Sequence, residues 1–298
     1  MFRRVGNKSR VGIVAVGLLA SSALVLSGSG PAAAGDEDGR AYLALGDSVV
    51  FGFITQAGFE YAEPDNFIGY PAYVGNALNL DAVNASCPGE ATSGFINVTG
   101  ADNGCHTSYR AHFPLHVPYS GPTESQLSFA TDFLSDHRDT KLVTVSAGAN
   151  DAFILQDSCA TAVSPPACIA AGLPPVLGSI SANMGTILKA LRATHFHGMI
   201  VVVNYYSLDY SDAAGTGLTL LLNQAETATA STYGAFVADA FTAFKTAPQN
   251  ISAGGKTCNA GLLNPEPGVA GKCDVHPSQT GQQLLASTVE EVYEAHSH

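Results

Sequence analysis

The chain has 298 residues, of which 46% are hydrophobic, 13% are charged and none is Trp. Its formal net charge is −12, but residues 1–34 hold four basic side chains (Arg3, Arg4, Lys8, Arg10) and no acidic one, so residues 35–298 carry nine basic against 25 acidic side chains, a net of −16. Such a surface repels phosphate backbones, which argues against nucleic acid as a partner, and a chain with 14 Phe and 11 Tyr is too apolar to be disordered.

Taken in chain order, residues 1–34 read as a secretory signal peptide. The four basic residues precede a short apolar stretch, 11–27, and Ala32-Ala33-Ala34 offers a small-residue cleavage site. Gly12, Gly17 and a Ser pair break that stretch, which weighs against an uncleaved anchor. Adjacent Arg3 and Arg4 hint at a twin-arginine route. No later segment reads as a membrane span, so the expected product is a secreted, monomeric domain over 35–298.

Within that domain the patterns predict strands at 42–45, 80–85, 141–146, 199–204 and 236–238. Helices are predicted at 68–78, 175–194, 218–233 and 281–295. Thr123-x-x-Gln126 matches a capping box opening a further helix with Leu127, Ala130, Phe133 and Leu134 on one face. Alternation of strand and helix argues for an α/β fold, a parallel sheet covered by helices on both faces. Long loops are expected at 86–122, 157–174, 206–217 and 247–276; such loops in a compact domain are usually functional.

All six cysteines (Cys87, Cys105, Cys159, Cys168, Cys258, Cys273) follow residue 34. An even count in an exported chain favours disulfides, and six cysteines allow 15 connectivities. The sequential pairs 87–105, 159–168 and 258–273 are preferred because each brackets a Gly-, Pro- or Ser-rich loop. No Cys/His spacing argues for zinc, and no metal or cofactor is expected.

The first strand runs into Gly46-Asp47-Ser48, which puts Ser48 at the carboxyl end of the sheet, where open α/β sheets bind ligands. The third strand runs into Gly148-Ala149-Asn150-Asp151 at the same edge. Cys87-Pro88-Gly89-Glu90 follows the second strand, and Asp274-Val275-His276-Pro277 precedes the last helix. These parts suit acyl transfer: a serine hydroxyl needs a base, and the resulting oxyanion needs preorganised donors.

With these four blocks in this order, the sequence resembles the SGNH, or GDSL, family of serine hydrolases. The resemblance spans residues 46–277 and implies a three-layer α/β/α sandwich on a five-stranded, flavodoxin-like parallel sheet. It implies Ser48 as nucleophile and oxyanion donor, Gly89 and Asn150 as further donors, and His276 as general base. The three local cysteine pairs also look like those of secreted actinobacterial members. One departure stands out: the family commonly places its acid three residues before the His, where this chain has Cys273. Asp274, two residues before, would then reach the imidazole from a shifted loop, or a backbone carbonyl near Cys273 would orient the ring.

Plainer readings compete. Ser48 could be a helix N-cap, Asn150 a turn residue and Gly89 a turn former, with Gly94 a rival donor. Pro114 between His112 and His116 argues against a helical metal pair. His195 and His197 read as surface residues, and His296 and His298 as a fraying tail. Asn-x-Ser/Thr occurs at Asn84, Asn97 and Asn250. Val49, Val50, Phe51, Phe53, Phe153, Ile154 and the Tyr205-Tyr206 pair are expected to line an acyl pocket, favouring a small-molecule or lipid ester as substrate. The competing functions are a carbohydrate acetylesterase on the same fold and a non-catalytic binding protein.

Overall fold

A computed structural model describes residues 40–297; the expected signal segment 1–34 lies outside the described residues. The chain opens on β1 (Ala41–Gly46), a short α1 (Ser48–Phe51), α2 (Tyr70–Leu78) and β2 (Asp81–Asn84). Three short helices and one longer one follow: α3 (Thr92–Ile96), α4 (Arg110–His112) and α5 (Gln126–Asp136), with a one-turn π-helix at Cys105–Tyr109. Next come β3 (Leu142–Ser146), α6 (Ala149–Cys159), α7 (Pro165–Ala193), β4 (Met199–Val203), α8 (Ala213–Thr227) and β5 (Ala235–Ala238). The chain closes with α9 (Ala240–Thr246), α10 (Pro248–Ser252), β6 (Leu263–Pro265), β7 (Cys273–Pro277) and α11 (Gln279–His296).

β1 to β5 form one parallel sheet in the order β2-β1-β3-β4-β5. Side-chain alternation splits its core in two. Tyr42, Ala44, Leu142, Val201 and Val203 pack under α2, α9 and α11, against Tyr70, Val74, Phe244, Leu285 and Val289. Leu43, Leu45, Val143, Val145, Ile200 and Val202 face α3, α5, α7 and α8, meeting Phe95, Leu134, Ile187, Leu188 and Leu191. Both faces are therefore dry, and each fully buried Leu, Ile or Val contributes roughly 1.5–3 kcal/mol. This is the three-layer α/β/α arrangement expected from the alternation. Because helices after β1 and after β3 pack on opposite faces, a crevice opens between the carboxyl ends of these two strands.

Several element boundaries differ from the sequence reading. The 175–194 helix begins ten residues earlier, at Pro165, and carries Pro174 and Pro175 inside it. Residues 157–174 are thus mostly helix, and α6 was hidden in a segment read as turn and loop. The 247–276 loop contains α10 and most of an antiparallel β6–β7 pair. The capping box is not used: Ser125, not Thr123, caps α5, its hydroxyl accepting from the Ser128 N–H at 3.1 Å. α7 also corrects the reading that no later segment has the makings of a span. Its 29 residues are long and apolar enough to cross a membrane by length and composition, although Ile180, Met184, Ile187, Leu188 and Leu191 are core residues here.

Candidate active site

β1 ends at Gly46, whose φ is +144° and whose missing Cβ would lie 2.1 Å from the Ser146 carbonyl oxygen. Only glycine lets β1 and β3 approach this closely before the chain turns. Asp47 caps α1 by accepting the Val49 N–H at 2.9 Å and takes the Tyr205 hydroxyl at 2.6 Å. Burial pushes its carboxyl up to about 6, with these two hydrogen bonds acting against that rise. Ser48 follows as the first residue of α1, and its Oγ lies 3.0 Å from His276 Nε2.

His276 arrives from the far end of the sequence on β7. The Cys258–Cys273 disulfide closes the loop that precedes it. The Tyr206 hydroxyl donates to the Val275 carbonyl at 2.6 Å and ties β7 to the end of β4. Asp274 stays within reach of the imidazole: its Oδ1 is 3.5 Å from Nδ1 and accepts the His276 backbone N–H at 2.7 Å. Burial alone would raise the Asp274 carboxyl, but the hydrogen bond and charge of His276, its N–H and the Thr55 hydroxyl outweigh it and hold the pKa below the ordinary value. Of the two sequence alternatives, Asp274 is therefore the one beside the ring, and no backbone carbonyl bonds Nδ1 among the described residues. The atom that meets hydrogen-bond geometry with Nδ1 is Thr55 Oγ1, at 3.2 Å. Thr55 carries no local sequence signal, because the loop that holds it lies 221 positions from His276.

The expected oxyanion donors converge on the crevice. The Ser48 and Gly89 N–H groups donate to no acceptor among the described residues. Gly89 has φ +85°, and a Cβ there would sit 2.4 Å from the Asn103 carbonyl oxygen. Asn150, one residue into α6, donates Nδ2 to the Glu90 carbonyl at 3.0 Å, and its Oδ1 accepts from Asn103 Nδ2 at 2.9 Å, which fixes the orientation of the amide. The rival Gly94 has its N–H committed to the Ala101 carbonyl at 3.2 Å.

A layer of polar side chains props these groups. Gln126 Oε1 accepts the Gly46 N–H at 2.5 Å, while its Nε2 donates to the Gly46 carbonyl at 3.0 Å and the Glu90 carboxyl at 3.3 Å. Gln126 thus joins the turn before Ser48 to the turn carrying Gly89. Glu90 is buried, which raises its carboxyl pKa, against the hydrogen bond and charge of His106 at 3.4 Å. Asp151 takes the Thr92 N–H and hydroxyl at 2.9 and 2.7 Å and ties α6 to α3. The Cys87–Cys105 bridge closes the loop around Gly89 and Asn103, and Cys159–Cys168 joins α6 to α7. All three preferred cysteine pairs lie at disulfide distance. Cys87, Glu90 and Cys105 have metal-like spacing, but a disulfide offers no thiolate ligand.

The expected acyl wall needs correction. Val49, Val50 and Phe51 are core residues, as are Tyr205 and Tyr206, whose hydroxyls buttress Asp47 and β7. Phe153 and Ile154 are half-buried on α6. Phe53 does stand beside the site, its ring 5.0 Å from that of His276. It packs with Tyr61, Phe67 and Tyr109, and Tyr61 packs in turn on Phe113. Among the described residues no other histidine bonds the Ser48 hydroxyl: His116 Nε2 meets the Phe51 carbonyl, and His195 and His197 are exposed. Among the described residues, Asn97 is the one Asn-x-Ser/Thr position that is exposed, and Asn250 is buried.

A sequence model of the GDSL-like lipase/acylhydrolase family matches residues 44–284. The chain belongs to this family. Among solved structures it is similar to a phospholipase A1 from Streptomyces albidoflavus NA297, at TM-score 0.54 and 19% identity, over 85% of this chain and 99% of that one. It is also similar to an alpha/beta hydrolase enzyme from the metagenome of Lake Arreo, Spain (TM-score 0.52, 13% identity, 86% and 95% covered). A third similarity is to an acetyl xylan esterase from Geobacillus stearothermophilus (0.50, 15%, 85% and 94%). At these identities the likeness is one of fold. No curated protein matches the sequence. The family and fold expected from the four blocks are those observed, and the GDSL family assignment supports ester hydrolysis.

Proposed function

We propose that the protein is a secreted serine esterase or lipase that hydrolyses carboxylic esters through an acyl-enzyme on Ser48. The observation that carries this reading is the 3.0 Å contact between Ser48 Oγ and His276 Nε2, joining residues 228 positions apart at the mouth of the crevice. In the proposed cycle Nε2 takes the hydroxyl proton as Oγ attacks the ester carbonyl carbon. The carbonyl oxygen becomes an oxyanion that accepts from the Ser48 and Gly89 N–H groups and from Asn150 Nδ2. Collapse breaks the bond to the alcohol oxygen, which leaves with the proton held on Nε2. Water, deprotonated by the same nitrogen, then releases the acid. Asp274 stabilises the imidazolium in both halves. Export would follow from residues 1–34.

The aromatic wall of Phe53, Tyr61 and Phe113 favours an apolar acyl group over acetate on a sugar. Ser48→Ala should lower turnover of a nitrophenyl ester by several orders of magnitude, as loss of such a nucleophile costs about 10⁶ in a well-studied serine hydrolase. A fluorophosphonate should label Ser48 in the unmodified protein, and labelling at another residue would overturn the assignment. A chain-length series of nitrophenyl esters tests the acyl group: activity confined to the acetyl ester would favour the acetylesterase.

A further inference from the structure

For Nε2 to accept the serine proton, a neutral imidazole must carry its own proton on Nδ1, and the partner of that N–H sets the tautomer and the ring angle. Two atoms face Nδ1. Asp274 Oδ1, at 3.5 Å, is beyond ordinary hydrogen-bond length and is already engaged by the His276 backbone N–H at 2.7 Å. Thr55 Oγ1, at 3.2 Å, is closer and has the geometry to accept. A hydroxyl that accepts one proton still has its own to give. Asp274 Oδ2 is buried and lacks a hydrogen-bond partner among the described residues. Thr55 Oγ1 and Asp274 Oδ1 thus both lie within 3.5 Å of Nδ1, and the Thr55 hydroxyl is among the causes that hold the Asp274 carboxyl below its ordinary value.

We infer that Thr55 is a positioning residue for the proposed reaction, its hydroxyl linking His276 Nδ1–H to the Asp274 carboxylate so that acid and base are joined through a third side chain. Thr55 has no place in the family pattern of the four sequence blocks. It sits on the exposed segment between α1 and α2, and its backbone is clasped from the other side. The Tyr61 hydroxyl donates to the Ile54 and Thr55 carbonyls at 3.0 and 3.1 Å. The Tyr61 ring packs on Phe53, Phe67 and Phe113. The same aromatic set that walls the proposed acyl site therefore holds the hydroxyl that aligns the base.

The inference rests on the Ser48–His276 reading, and the test separates the two. Thr55→Val, Thr55→Ser, Asp274→Asn and the Thr55→Val/Asp274→Asn pair are compared by kcat and KM on one nitrophenyl ester. Fluorophosphonate labelling of Ser48 is followed alongside. Thr55→Val should lower kcat about 10- to 100-fold, the scale on which misplacement of a reacting group acts, with KM within about twofold. Thr55→Ser keeps the hydroxyl and should restore most of the rate. The pair should be no worse than Asp274→Asn alone, because both substitutions cut one chain of bonds. The downfield proton NMR signal of His276 Nδ1–H should move in Thr55→Val and return in Thr55→Ser. If Ser48 labels normally but Thr55→Val keeps its rate and its Nδ1–H signal, the role given to Thr55 is wrong and the Ser48 assignment stands. Equal losses in Thr55→Val and Thr55→Ser, or strictly additive losses in the pair, would also overturn it. Labelling away from Ser48 would bring down both.

Discussion

At the scale of single residues, the site is organised around a carboxyl that performs no chemistry in the proposed cycle. Asp47 precedes Ser48, and its two oxygens hold α1 and Tyr205 in place. The price is a buried acid whose pKa stands at about 6 against an ordinary 3.8. The folded state therefore binds this proton more tightly than the unfolded one. Its stabilising effect is complete below about pH 4 and is lost as the pH rises through about 6, a change of roughly 2–3 kcal/mol. Asp47→Asn keeps an oxygen for the Val49 N–H and presents an amide to the Tyr205 oxygen, without a charge to bury. The variant should show a shallower fall in urea midpoint between about pH 4 and 6.5 than the parent protein. Glu226, also buried and raised well above its ordinary value by that burial, keeps its own share of the slope in both proteins. Identical slopes would mean that Asp47 is ionised at little cost.

At the scale of elements, legibility followed local pattern. β3 and β4 were readable because LVTVS and MIVVV are apolar, β-branched runs of strand length. The N-terminal half of α7 was not, because Pro165, Pro166, Pro174, Pro175 and Gly172 between them mimic a loop. It is helical because Pro165 and Pro166 occupy its first turn, where proline is tolerated, and because the chain beyond residue 180 anchors it. The β6–β7 pair has no period-two pattern and exists through its ladder, its disulfide and Tyr206. Ser48, Gly89, Asn150 and His276 were legible through short blocks at strand ends. Thr55, Gln126 and Asn103 were not, since each acts through contacts that only the folded chain creates. Gln126 even matched a helix signal whose side chain the fold uses elsewhere.

The β7 element yields a prediction of its own. Cys258 and Cys273 are 15 residues apart, and removing a cross-link of that loop length should cost about 3 kcal/mol. Because His276 follows Cys273 by three residues, the Cys258→Ala/Cys273→Ala protein should also lose turnover per folded molecule. Cys159 and Cys168, nine residues apart at the corner of α6 and α7, provide the comparison: their replacement should lower stability while leaving that turnover near its starting value. Urea melts with active-site titration measure both quantities. Equal turnover in the two double variants would mean that the ladder and Tyr206 alone hold β7 in register.

At the scale of the whole molecule, two populations of acids pull stability in opposite directions. Burial raises Asp47, Glu226, Glu90 and Asp151 above their ordinary values, against the hydrogen bonds they accept. Each stabilises the fold at low pH and loses that contribution as the pH climbs through its folded value. Against burial, hydrogen bonds lower Asp239, and hydrogen bonds together with the charge of His276 lower Asp274. Each of these stabilises above the ordinary carboxylate range and loses its contribution as the pH falls below it. The fold should therefore be most stable near the ordinary carboxylate range, at about pH 4, and lose stability as the pH rises from there through the folded value of Asp47. The net −16 of residues 35–298 also disfavours the compact state at higher pH, through self-repulsion. Salt separates the two causes, because exposed charges are screened over about 10 Å at 0.1 M ionic strength and buried ones much less. Thermal melts from about pH 4.5 to 8, at roughly 0.05 and 0.5 M NaCl, should show stability falling with pH at both salt levels, less steeply at the higher one. A fall that vanishes at high salt would assign the whole effect to the surface and none to the buried carboxyls beneath the site.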